Sequence, residues 1–270
     1  MKISKDKKDI VTGWARKQKS CTESKLLDKL RSGNEEFFEL RDVVYPFGTR
    51  KVYFKKDQEK YELLQGSRCF FGPQEDSDFE SLVETSEAWL HNIKDSDIVR
   101  IDELEQIRAG LPELPRFESI AEIGFRTPRL LKYYLDRGYK RAIGFDVLEA
   151  NVIAAHALGY ESKVYDLNLC EGDLDLRGID LVLSYHVLEH VSDPLRAIKA
   201  IYNSMSAGSC FHVEIPIEPG VPNIRYCHLF PFELGDLHWM LQDAGFRVRT
   251  IASNTHAGGP DVERHFAVKE

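Results

Sequence analysis

From Ser119 onward the chain alternates short apolar runs with helix-patterned stretches, and this rhythm restricts its fold more than any other feature. Ser119–Gly124 (SIAEIG) reads as a strand ending in glycine. Pro128–Arg137 has helical spacing, with Leu130, Leu131, Tyr134 and Leu135 on one face. Thr127 suits its cap, Pro128 its first turn and Gly138 its end. Arg141–Val147 reads as a strand, Leu148–Leu158 as a helix, and Ser162–Asn168 as a third strand. Ile179–Tyr185 (IDLVLSY) is continuously apolar, as in a strand covered on both faces. Asp193-Pro194 opens a helix over Leu195–Met205. Ser209–Ile217 is a fifth strand, Phe232–Ala244 a helix, and Phe246–Ala252 and Val262–Val268 the last strands. Such alternation builds βαβ units and a mostly parallel sheet. The loop Ser253–Asp261, with Gly258, Gly259 and Pro260, joins the final two strands as a hairpin, so one strand is antiparallel.

The segment Gly110–Arg116 (GLPELPR) breaks any helix and sets a boundary between residues 1–115 and 116–270. Before it, residues 1–30 read as helical and basic on one side. Val43–Phe54 reads as two short strands about Pro46-Phe47-Gly48, and Phe79–His91 and Ile101–Ala109 as helices. This α+β extension, rich in Phe70, Phe71, Phe79 and Trp89, is expected to act as a lid or an assembly region, with a homodimer as one outcome.

With 36 basic and 44 acidic residues among 270, the net charge is −8, which disfavours nucleic acid as a partner. The five cysteines form no CxxC pair, so a disulfide framework and a structural zinc site are not expected, and a reducing cytosol is. The first twenty residues lack a signal-peptide apolar region, and no stretch has transmembrane length.

In an open α/β sheet, ligands bind beyond the carboxyl ends of the strands. Those ends carry Glu122 and Gly124, then Asp146, then Asp166, then Tyr185-His186. Either aspartate alone reads as an ordinary turn former. Together they suit an adenosine-containing ligand, one acid accepting from ribose hydroxyls and the next from an adenine amino group. The turn Gly124-Phe125-Arg126-Thr127-Pro128 holds one glycine, which disfavours a dinucleotide pyrophosphate.

On these pieces (AEIGFRT, GFDV, VYDLN, IDLVLSYHVLEHVSDPLRAI and HLFPFELGDLHWMLQDAGF) the chain resembles the class I S-adenosylmethionine-dependent methyltransferases over about residues 117–270. VLEHVSDP is the most specific piece and looks like the branch acting on small molecules, including ubiquinone-biosynthesis and sugar O-methyltransferases. The resemblance implies a Rossmann-like three-layer sandwich with a seven-stranded, mostly parallel sheet and an antiparallel C-terminal strand. It implies S-adenosylmethionine as cofactor and S-adenosylhomocysteine as product. It places Glu122 and Gly124 at the methionine end, with Phe125 and Arg126 in the same loop. It places Asp146 with Val147 at the ribose, Asp166 with Leu167 around the adenine, and the Tyr185 backbone against the cofactor.

The sequence departs from the family where further glycines usually follow the acidic position. Three readings of Phe125 and Arg126 follow: a narrowed site, a bidentate contact from Arg126 to the cofactor carboxylate, or a decayed site. The last would make the chain a non-catalytic adenosyl-ligand scaffold. Because both later acids are present, methyl transfer to a hydroxyl or amine of a small-molecule or sugar-like acceptor is the expected function. A hydroxyl acceptor must lose a proton, and His186 and His228 are the expected bases, equally placed. Glu189 and His190 read as structural, and His212, His238 and Trp239 as packing. Glu189, His190 and Glu214 lack a known metal spacing, so no metal is expected.

Overall fold

In the computed structural model the described residues are 3–22, 25–66, 78–111, 116–170, 173–250 and 261–270. The chain begins with α1 (Lys5–Thr22), α2 (Lys25–Arg31), the hairpin β1 (Phe38–Tyr45) and β2 (Gly48–Lys55), α3 (Gln58–Gly66), α4 (Asp78–Leu90) and α5 (Asp95–Ala109). There follow β3 (Ser119–Ile123), α6 (Arg129–Asp136), β4 (Arg141–Asp146), α7 (Glu149–Ala157), β5 (Glu161–Val164) and β6 (Leu181–Tyr185). The last elements are α8 (Pro194–Ser204), β7 (Cys210–Pro216), α9 (Asp236–Ala244), β8 (Phe246–Thr250) and β9 (Val262–Lys269).

Seven strands form one sheet in the order β5-β4-β3-β6-β7-β9-β8. All neighbours are parallel except β9, which runs antiparallel to both β7 and β8. Every residue of β3 and β7 is buried, as helices on both faces require. The two-residue period of the strands divides their side chains between two cores. Ile120, Leu181 and Leu183 pack with Leu104 of α5 and Leu130, Leu131 and Tyr134 of α6. Ala121, Ile123, Val182, Phe211 and Val213 face Ile198 and Ile201 of α8 and Leu237 and Met240 of α9. Removing each large apolar side chain from water contributes about 1.5–3 kcal/mol.

The N-terminal elements share cores with this sheet. Val11, Phe79 and Leu82 pack on Ala150, Ile153 and Ala154 of α7. Leu27, Leu30, Phe38 and Tyr61 enclose Ile224, Cys227 and Leu229 from the segment after β7. Stacking continues through Phe47 and Trp239, whose ring centroids lie 5.0 Å apart.

The expected elements form, with local differences. The cap of α6 is Pro128, with no side-chain hydrogen bond, so Thr127 does not cap it. Asp193 does cap α8, its Oδ1 accepting from the Arg196 N–H at 3.0 Å. The third expected strand stops at Val164, which leaves Asp166 in the turn beyond it. The helix expected from Phe232 starts at Asp236, because Phe230 and Phe232 are buried in the core and Gly235 takes a left-handed conformation before it. Most of the Ser253–Asp261 loop, Phe70, Phe71, Cys69 and residues 112–115 of the expected boundary lie outside the described residues. No helix among the described residues is long and apolar enough to cross a membrane.

Candidate functional site

Strand register brings the expected residues to one level. Ile123 is opposite Phe145 on β4 and Ser184 on β6, so Gly124, Asp146 and Tyr185 emerge together at the carboxyl edge. A cavity of about 670 Å³ opens there. Glu122, Gly124, Phe125, Arg126, Asp146, Val147, Asp166, Leu167, Tyr185, His186 and His228 all line it. Trp89, from the expected lid region, lines it from the N-terminal half together with Tyr61, Gln65, Lys94, Ser96 and Arg100, which no motif had marked.

The loop after β3 explains the missing glycines. Gly124 has φ +73°, and a Cβ there would lie 2.4 Å from Val187 Cγ2. Arg126, two residues on, also takes a left-handed conformation, φ +51°, which glycine adopts without strain and other residues adopt at a cost. Its N–H donates to Asp146 Oδ2 at 2.9 Å. The Phe125 ring does not fill the cleft. It is 2% exposed and packs with Val152 and Ala155. Gly144 on β4 makes room for it, since a Cβ at Gly144 would come within 2.5 Å of the ring. The loop keeps a glycine-type backbone and sends its bulk into the core.

The acids differ in their surroundings. Asp146 accepts from Arg126 N–H and, through Oδ1, from Leu148 N–H at 2.8 Å. The Asn151 side chain donates to it as well, so of a carboxylate's roughly four acceptor sites about one remains. Burial outweighs these bonds and raises its pKa. Asp166 Oδ1 accepts from Asn168 N–H at 2.7 Å, and Oδ2 accepts from Gln58 Nε2 at 3.0 Å, with Lys55 Nζ at 3.8 Å. Glu122 is buried, and its Oε2 has no hydrogen-bond partner. Burial lifts its pKa to about 8, so the acid is largely neutral at pH 7.

The opposite end of the cleft is a cluster of histidines about Glu189. His186, in a left-handed conformation with φ +56°, lies between two carboxylates. Its Nδ1 is 3.4 Å from Glu189 Oε1 and its Nε2 is 3.0 Å from Glu214 Oε1. Burial alone would lower its pKa, but bonds to Glu189 and Glu214 raise it to about 9. His228 Nδ1 lies 2.5 Å from Glu218 Oε2, and its Nε2 lies 4.0 Å from Glu189 Oε1. Burial would raise Glu189, yet the surrounding histidines hold it near 2.

Behind His186 stands a buried ion network. Glu214 pairs with Arg100 of α5 and Arg264 of β9, Arg100 also pairs with Asp97 at 3.0 Å, and Arg129 reaches Asp97 at 2.8 Å. Burial disfavours the Glu214 charge, but His186, Arg100 and Arg264 hold its pKa far below the usual range. His212 lies in the core as expected, bonded to the Tyr185 hydroxyl at 2.7 Å. Of the four non-glycine residues with positive φ among the described residues, Arg126, His186 and Cys227 line this cleft, and such strain gathers at functional sites.

The sequence pattern of a family described as a methyltransferase domain matches residues 100–251. A protein of Mycolicibacterium smegmatis named a probable S-adenosylmethionine-dependent methyltransferase is 27% identical over 125 residues, 44% of this chain and 49% of that protein. The chain therefore matches about half the length of that relative. Among solved structures, S-adenosylmethionine-bound CalS10, an amino pentose methyltransferase from Micromonospora echinaspora, has a TM-score of 0.51 at 13% identity, covering 74% of this chain and all of its own. An S-adenosylmethionine-dependent methyltransferase from Mesorhizobium loti has a TM-score of 0.49 at 18% identity, covering 62% and 97%. The likeness to CalS10 is one of fold.

Proposed function

The chain belongs to the methyltransferase domain family, and from that premise we propose that it transfers a methyl group from S-adenosylmethionine to a hydroxyl or amine of a small, polar, sugar-like acceptor. S-adenosylmethionine, its cofactor, supplies an electrophilic methyl group on a sulfonium. The residues present fit that cofactor. Gly124, at φ +73° and lining the cleft, lets the loop pass close to Val187 at the cofactor's methionine end. Asp146 keeps an acceptor site for a ribose hydroxyl, with Val147 beside it. Glu122, with its unpartnered buried oxygen, suits the methionine ammonium. Asp166 and Leu167 take the adenine end, and the Tyr185 backbone lies along the cofactor.

The observation that carries the acceptor assignment is the orientation of His228. Its Nδ1–H donates to Glu218, so in the neutral ring the lone pair is on Nε2. His186, held as a cation between two carboxylates, is a poor proton acceptor and instead positions Glu189. We therefore place acceptor activation at His228 rather than dividing it between the two histidines. With the cofactor bound, His228 Nε2 would accept the proton of a hydroxyl acceptor held in line with the electrophilic methyl group. Holding the acceptor in line supplies much of the rate. Tyr61, Gln65 and Ser96 offer further polar contacts, so residues 1–115 act as the cap that shapes the acceptor pocket. The cavity suits a cofactor and a small acceptor, and the buried thiols of Cys210 and Cys227, which are in no disulfide, suit a reducing, cytosolic setting.

The competing reading, a non-catalytic scaffold, rested on the missing glycines. The left-handed Arg126 and the inward Phe125 weaken its motive. Transfer of labelled methyl to a library of sugars and hydroxylated small molecules tests the proposal. Tight cofactor binding without transfer to any acceptor would favour the scaffold.

A further inference from the structure

We propose that Glu189, His190 and His228 form a binding site for one divalent first-row transition-metal ion at the acceptor end of the cleft. Their donor atoms all lie within 4.8 Å of one another. Glu189 Oε1 is 3.9 Å from His190 Nε2 and 4.0 Å from His228 Nε2. Metal–nitrogen bonds are about 2.0–2.1 Å, so two ligands straddling one ion stand at most about 4.2 Å apart. The two Glu189 separations fall inside that limit, and closing by about half an ångström or more brings the donors to tetrahedral angles.

Two independent features favour an ion over a plain polar cluster. Each histidine is fixed in the tautomer a metal needs. The Cys227 carbonyl can only accept, so His190 Nδ1, at 2.9 Å, must donate to it. His228 Nδ1 donates in the same way to Glu218. When neutral, both rings therefore present the Nε2 lone pair toward Glu189, and Glu218 stands to His228 as the outer-shell carboxylate that orients metal-bound imidazoles. The second feature is Glu189, 1% exposed, whose nearest side-chain partner is His186 Nδ1 at 3.4 Å from Oε1, a long contact that leaves its other acceptor sites unfilled. A buried carboxylate left in that state is costly, and a cation between it and the two imidazoles would satisfy it.

The backbone holds the three residues in place before any ion arrives. Leu229 and Phe230 N–H donate to the Glu189 carbonyl at 2.7 and 3.1 Å. The Tyr61 hydroxyl donates to the His190 carbonyl at 2.7 Å. Cys227 takes a left-handed turn, φ +63°, that fixes its carbonyl beside His190. Two imidazoles and one carboxylate suit zinc, manganese, iron or cobalt better than calcium or magnesium. Three protein ligands leave coordination positions open toward the cavity. In the proposed methyl transfer, on which only this use depends, an acceptor hydroxyl bound there would lose its proton more readily. His228 would then activate the acceptor through the ion.

The test is titration of chelator-dialysed, full-length protein with Co²⁺, read by visible ligand-field absorption and calorimetry. One ion per chain is expected. Glu218→Gln should weaken its binding by about 10–100-fold, His228→Ala by at least as much, and Glu189→Gln should abolish it. Circular dichroism checks folding, and His228→Ala, at the cleft wall, serves should the buried Glu189 variant misfold. Absence of bound Co²⁺, or stoichiometric binding unchanged in His228→Ala, would overturn the proposal. Calorimetry with S-adenosylmethionine on the chelated protein separates the two readings. Cofactor binding without any metal site sinks this proposal alone, whereas metal binding without cofactor binding sinks the functional reading alone.

Discussion

His228 Nδ1 stands 2.5 Å from Glu218 Oε2, and this single contact decides which nitrogen of the ring faces the acceptor. A neutral imidazole donates from one nitrogen and offers a lone pair on the other. Removing the ring should lower kcat for methyl transfer by about 10²–10⁴-fold in His228→Ala, with the Kd for S-adenosylmethionine unchanged. Glu218→Gln should cause a smaller fall in kcat. Steady-state kinetics beside calorimetry check both. An unaltered kcat in His228→Ala would place activation elsewhere.

Glu122 predicts a proton linkage. Its folded pKa of about 8 lies above the usual carboxylate value, so the cofactor-free fold binds this proton more tightly than the unfolded chain does. The stability it contributes is fully present below the ordinary carboxylate range and is lost as pH rises through about 8. If Glu122 must ionise to meet the methionine ammonium, cofactor binding releases a proton at pH 7. The Kd should then fall about tenfold for each pH unit gained below about 8. Calorimetry in buffers of different ionisation enthalpy reads the released proton, and Glu122→Gln should abolish it.

The loop after β3 predicts opposite outcomes two residues apart. Gly124→Ala sets a Cβ 2.4 Å from Val187 Cγ2 at φ +73°, and should cost about 1–3 kcal/mol and abolish cofactor binding. Arg126→Gly relaxes a left-handed residue and should leave stability equal or higher by up to about 1 kcal/mol. Thermal melts of the two variants, with and without S-adenosylmethionine, make the comparison. A melting loss in Arg126→Gly as large as in Gly124→Ala would contradict it.

Arg100 is 5% exposed and bonded to both Glu214 and Asp97. Arg100→Ala leaves those buried carboxylates short of their partner, which should destabilise the fold by about 3–5 kcal/mol. Urea denaturation measures this. A change below about 1 kcal/mol would mean that Arg264 and Arg129 suffice.

The sheet and its ligand edge were legible because their signals are local. The buried run Leu181–Tyr185 and the Asp193 cap need no distant partner to be recognised. Acids at successive strand ends are placed by the topology alone. Pairing across long sequence distance left no such trace. Arg100 meets Glu214 across 114 residues and Gln58 meets Asp166 across 108, so the N-terminal wall of the cleft had no motif to mark it. The same holds for Phe125. Its bulk looked like an obstruction until Gly144, on the neighbouring strand, was seen to receive it. Glu189 read as structural because the histidine completing its cluster, His228, comes from beyond the next strand.

The position of β9 bears on the order in which the sheet can assemble. β8 is made first, yet its only neighbour among the described strands is β9, which also carries the sole described link from β8 to β7. β8 therefore has no edge to join until the later segment is laid down between them. The two strands enter the sheet as one cooperative unit, and their amides should exchange with solvent together, separately from those of β3, β4 and β6.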